Sequence, residues 1–189
     1  MTRSRWLPMM VGALAIVTFA LRSGLGAQVP DQGIKVHGHW LIEVRNADGT
    51  LELQREFDNA LLDGGKATLL SLLMAQKTID SWAIQVSSDT GPCANSQGSA
   101  VNCLIEEPTG PHEGPSVFRN LTKTTGHGNP TLILQGSFVA ANGGAISIVA
   151  TLTNFSTGGV SLFTGTSLES PIPVQATQTV SITVTISVS

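Results

Sequence analysis

The stretch Thr179-Val-Ser-Ile-Thr-Val-Thr-Ile-Ser-Val-Ser189 constrains the fold more than any other. Val180, Ile182, Val184, Ile186 and Val188 alternate with Ser181, Thr183, Thr185 and Ser187. A period of two places the aliphatic side chains on one face of a strand and the hydroxyls on the other. Burying five such side chains contributes ~8–15 kcal/mol as an upper bound. That is comparable to the ~5–15 kcal/mol net stability of an ordinary domain.

Other segments repeat the pattern. Lys35 to Arg45 carries Val36, Gly38, Trp40, Ile42 and Val44 on one face, and Lys35, His37, His39, Leu41, Glu43 and Arg45 on the other. Asn46-Ala-Asp-Gly49 is a turn with the favoured Asp-Gly pair, and Leu51 to Phe57 returns as the second strand of a hairpin. Further strands are expected over Ser81 to Ser87, Ser116 to Thr125, Thr131 to Ala141, Ala145 to Thr153 and Val160 to Phe163. Pro171 and Pro173 confine Leu168 to Val174 to an edge strand or extended loop.

One segment differs. Asp63 to Gln76 carries Leu69, Leu70, Leu72, Leu73 and Met74 at helical spacing, with Asp63 as the expected N-cap. Its broad apolar face is expected to pack on a sheet. Gly64-Gly65-Lys66 lacks the spacing of a phosphate-binding loop. The expected fold is therefore mainly β, an antiparallel β-sandwich with one short covering α-helix.

Residues 1–27 read as a secretory signal peptide. Arg3 and Arg5 precede a mainly apolar run from Trp6 to Leu21, and small residues end at Ala27. The rival is an uncleaved anchor, but the run is short for the ~20 apolar residues of a span. Residues 28–189 then form a single β-sandwich domain, with a loose arm at 28–34 and a long loop at 88–115. Removing Arg3, Arg5 and Arg22 from the 10 basic residues leaves seven against 13 acidic ones. That balance excludes a basic stripe for nucleic acid, and no later segment suits a membrane span.

Cys93 and Cys103 are the only cysteines. In an oxidising compartment the pair reads as a disulfide across the long loop, rather than a redox pair or half a zinc site. His37 and His39 share a strand face with Glu43 and could hold a metal together, but two histidines at this spacing are a weak signal and a solvent-facing polar strand side is the favoured reading. His112, Glu113 and His127 are loop residues. No G-x-S-x-G elbow, H-E-x-x-H helix or spare cysteine accompanies them. Adjacent Glu106 and Glu107 aim oppositely on a strand. Trp40 and Trp82 fall on core faces, which disfavours an aromatic glycan platform. Asn120 and Asn154 begin N-x-[ST] sequons.

Glu56, Phe57, Asn59 and Leu61, then Gly65, the pairs Leu69-Leu70 and Leu72-Leu73, and Trp82 with Ile84 form a recurring layout. It resembles a segment of phage tail-associated β-sandwich modules and of uncharacterised secreted bacterial proteins. The half from Leu132 to the final strand is similar in layout too. The resemblance implies an assembly or surface module. A leader is foreign to virion tail proteins, which favours the secreted group.

The expected function is that of a non-enzymatic secreted or cell-surface structural protein, such as an appendage subunit, with no catalytic residues, metal or cofactor. Its expected location is extracellular or cell-surface, with the periplasm as the alternative. Self-assembly through strand pairing would use the arm or the terminal strand. The alternatives are a ligand- or glycan-binding module using the long loop, and a secreted hydrolase built around His112 and His127.

Overall fold

The structure is a computed structural model. It describes residues 35–88, 101–114, 116–126 and 130–189. All fall within one compact unit, Ile34–Ser189. The expected leader and arm, Cys93 and His127 lie outside the described residues.

Among the described residues, ten strands form two five-stranded sheets. Sheet A begins with the hairpin β1 (Val36–Arg45) and β2 (Leu51–Ala60). Gly49 closes its turn at φ 85°, a conformation that costs glycine little. Sheet A adds β6 (Thr122–Thr125), β7 (Thr131–Val139) and β10 (Thr179–Val188). Its order is β2-β1-β10-β7-β6. Sheet B contains β3 (Ile79–Ser88), β4 (Val101–Glu106), β5 (Val117–Phe118), β8 (Gly144–Phe155) and β9 (Val160–Val174), in the order β5-β4-β3-β8-β9.

The fold is the expected β-sandwich with one helix, with a difference in strand direction. Short β5 runs parallel to β4, so sheet B is mixed. The expected strand over 116–125 divides into β5 and β6, which join different sheets. The alternating faces meet in one core. Trp40, Ile42, Val44, Val180, Ile182 and Val184 from sheet A pack with Trp82, Ile84, Val86 and Ile105 from sheet B. Val188 lies outside this set and is 38% exposed, so the terminal strand buries four of its five aliphatic residues. β10 sits between β1 and β7, and both of its edges are hydrogen-bonded. It is therefore not a spare segment for pairing with a neighbour.

The helix α1 (Asp63–Leu73) differs most from expectation. Asp63 is its first residue, not its cap. The N-cap is Leu62, without a side-chain cap bond, and Asp63 instead pairs with Lys66 at 2.8 Å. The helix also approaches through its small residues. Its buried positions are Gly65 and Thr68. A Cβ on Gly65 would lie 2.2 Å from the Phe163 carbonyl oxygen, and one on Gly64 would lie 2.6 Å from that of Leu162. Leu62 N–H donates to the Phe163 oxygen at 3.0 Å, and the Ser161 hydroxyl donates to the Gly64 oxygen at 3.1 Å. These contacts draw α1 against β9, the outermost strand of sheet B. Leu69 reaches the core, but Leu70, Leu73 and Met74 turn outward, with Leu73 75% exposed.

Candidate functional site

Three places gather chemically capable side chains. The first lies where β4 ends. Glu106 is completely buried, and its Oε1 lies 2.5 Å from His112 Nδ1. Its Oε2 accepts from the His112 backbone N–H at 3.2 Å and lies 3.5 Å from Arg119 Nη1. Arg119 also donates to the carbonyls of Gly110 and His112. Gly110 makes this closure possible, because a Cβ there would stand 2.5 Å from Glu106 Oε2. The chain after β4 thus folds back and clasps its own carboxylate. Charge-assisted bonds from the imidazole and guanidinium compensate the desolvation of Glu106. Glu107 aims away, as the alternation predicts, and meets Lys123 Nζ at 2.6 Å.

A carboxylate on Nδ1 is the arrangement that orients a catalytic histidine. Here, however, the donors of Arg119 serve the loop's own carbonyls, and the geometry is that of a clasp. His127, the other half of the expected hydrolase pair, lies outside the described residues.

The second place is the outward face of β1. His39 Nδ1 lies 2.9 Å from Asp58 Oδ1, its cross-strand neighbour on β2. Glu43, the expected companion of His39, instead accepts from Arg45 at 3.0 Å. His37 lines a shallow depression with Lys35, Asp58 and Lys66. Among the described residues, no group of three or more His, Cys, Asp or Glu could hold a metal ion.

The third is a cleft of about 350 Å³ between β2 and β9. Arg55, Glu56, Phe57 and Asp58 form one wall; Thr166 to Ser170 form the other, and Ile172 joins them. Its second wall comes from an irregularity. Ser167 pairs with Ile148 and Ile172 with Ile146, so residues 168–171 stand opposite Ser147 alone and arch out of the sheet. Phe57 is fixed by stacking on Trp40, with ring centroids 6.0 Å apart. The cleft was not anticipated. The two prolines marked β9 as an edge strand, but the arch depends on its register with β8.

The remaining predicted residues are structural. Cys103 is fully buried on β4, and its expected partner Cys93 lies outside the described residues. Trp40 and Trp82 are core residues, and Trp82 meets Phe163 edge-on at 5.0 Å. Asn120 donates to the Ser137 carbonyl at 2.7 Å. Asn154 is buried and donates to Ser81 Oγ at 3.0 Å, so its sequon does not present a free asparagine side chain. No helix among the described residues is long and apolar enough to cross a membrane. Comparisons with protein-family models, curated proteins and solved structures return no match.

Proposed function

We propose that this chain is a non-enzymatic secreted or cell-surface structural protein that assembles by strand pairing, such as a subunit of an extracellular appendage. The observation that carries the reading is the open margin of sheet A. β2 is ten residues long and has β1 as its only strand neighbour among the described residues. Unpaired strand edges are templates for another chain. The reading gains support from the leader-like residues 1–27 and from the low charge of the chain, with 12% charged residues. The commitment of Glu106, His112 and Arg119 to one loop is also the use a structural module makes of such groups.

The reading includes a disulfide between Cys93 and Cys103, formed on export. Cell fractionation and the native mass of the protein as recovered from cells test it together. Export, higher-order native species and no reactive thiol before reduction are expected. A strictly monomeric chain with no ordered assembly on cells, or a chain kept in the cytoplasm, overturns it.

A further inference from the structure

We propose that β2 and the cleft beside it accept an extended, cationic strand from a partner protein, apolar at every second position. The inference deepens the assembly reading and rests on it, because it names the receiving edge and the chemistry of the incoming segment.

A strand added to β2 would continue the alternation of sheet A. Leu53, Arg55 and Phe57 share the face of β2 that belongs to the core side, since Leu53 opposes Val44 and Phe57 opposes Trp40. The matching side chains of an added strand would project toward the gap between the sheets. There Phe57 and Ile172 line the cleft, with Leu168 on the arch. An edge strand beside an apolar-lined cleft is the arrangement of recognition by strand addition. Backbone hydrogen bonds supply affinity, and pockets for alternate side chains supply selectivity.

The other face sets the charge. Glu52, Gln54, Glu56 and Asp58 alternate along the solvent side of β2. Glu169 adds a carboxylate to the cleft wall, and Arg55 is the lining's single cation. A strand with lysine or arginine between its apolar residues would place cations beside these carboxylates, and cross-strand charge pairs of opposite sign are favourable.

The same row argues against a second copy of β2 as the occupant. In antiparallel self-pairing centred on Arg55, Glu52 meets Asp58 and Gln54 meets Glu56. Centred on Glu56, that residue meets itself. Centred on Gln54, Glu52 meets Glu56. Each of these three registers brings acidic side chains together, and like charges directly opposite are unfavourable. The row disfavours these self-pairings and suits a strand of opposite charge.

The probe is a short capped peptide of alternating valine and lysine, added to the purified chain. Its valine–glutamate counterpart and a form N-methylated at alternate amides are controls. Binding is followed by fluorescence anisotropy and by backbone amide shifts. The valine–lysine peptide is expected to bind, with shifts confined to Leu51–Asp58 and Thr166–Ile172. Glu52→Lys/Glu56→Lys, both exposed positions, should weaken binding about tenfold while leaving the melting temperature in place. N-methylation should abolish binding.

Absence of binding, equal binding of the glutamate peptide, indifference to N-methylation or shifts elsewhere overturns the proposal. The two readings fail separately. Native assemblies that persist unchanged in Glu52→Lys/Glu56→Lys overturn this acceptor edge alone. A chain that is monomeric on cells yet binds the peptide along β2 overturns the assembly reading alone.

Discussion

Replacing Gly65 by alanine should pry α1 away from β9, although alanine is the better helix former. Intrinsic propensity favours the substitution by about 1 kcal/mol. The new Cβ, however, would lie 2.2 Å from the Phe163 carbonyl oxygen and 2.5 Å from Leu61 Cδ1. An ordinary contact needs more than an ångström of extra room, and the nearest obstacle is the backbone of β9 rather than a flexible side chain. The helix must retreat, weakening the Leu62 N–H bond to Phe163 and the isolated bridge between Leu61 and Thr164. Overpacking costs about 1–3 kcal/mol and a lost hydrogen bond about 1 kcal/mol. After the propensity gain, a net loss of about 2 kcal/mol is expected. For a domain of this size that lowers the melting temperature by roughly 4–8 °C. Thermal unfolding followed by circular dichroism measures it, with Leu73→Ala on the exposed helix face as a control that should change little. A Gly65→Ala chain as stable as the parent, or more stable, would refute the packing argument.

Two sets of substitutions and one deletion test separate features. Arg119→Met removes a cation beside buried Glu106 and should cost about 3 kcal/mol in urea unfolding; adding Glu106→Gln should restore part of that loss, and additive losses would deny the coupling. Asp48 is held below the usual carboxylate range, chiefly by the Thr50 hydroxyl and then by the Thr50 N–H. A folded-state pKa below the unfolded one stabilises above the unfolded value and loses that contribution as pH falls through the folded value. Thr50→Val should therefore raise the Asp48 pKa in a carboxyl NMR titration and reduce the pH dependence of stability in the acid range; an unmoved titration would count against the assigned bond. Deleting Thr179 to Ser189 removes four buried aliphatic side chains, ~6–12 kcal/mol of apolar burial, and should leave no cooperative unfolding transition; a soluble product with the parent melting temperature would sink that expectation.

Local periodicity made the frame of the sandwich legible, and distant backbone made the rest illegible. β1, β2 and β10 announced themselves because each has one face in the core and one in solvent. The Asp-Gly turn located their hairpin. The partner of His39 was also within reach: counting back through that turn brings Asp58 opposite it, whereas Glu43 merely shares its strand. The attitude of α1 was not legible in this way. Its leucines promised an inward face, but the closest approach was decided by Gly64 and Gly65 meeting carbonyls on β9, about a hundred residues later in the chain. The clasp on Glu106 was hidden similarly. Nothing in the adjacent pair Glu106-Glu107 reveals that one carboxylate will be enclosed by His112, Gly110 and Arg119. The cleft required the arch at 168–171, which depends on how β9 registers with β8.

The order of strands in sheet A also sets a timetable. β1 pairs with β2 across a short turn, but its other neighbour is β10, with Val36 opposite Val188 and Arg45 opposite Thr179. These contacts span nearly the whole described chain, and such long loops close slowly. Until β10 arrives, the hairpin presents Trp40, Ile42 and Val44 with the edge of β1 open as well as that of β2, a species prone to mispair with its own kind. Refolding should therefore be slow and sensitive to protein concentration. A holding factor that keeps the hairpin occupied would raise the yield without adding anything to the stability of the finished sandwich.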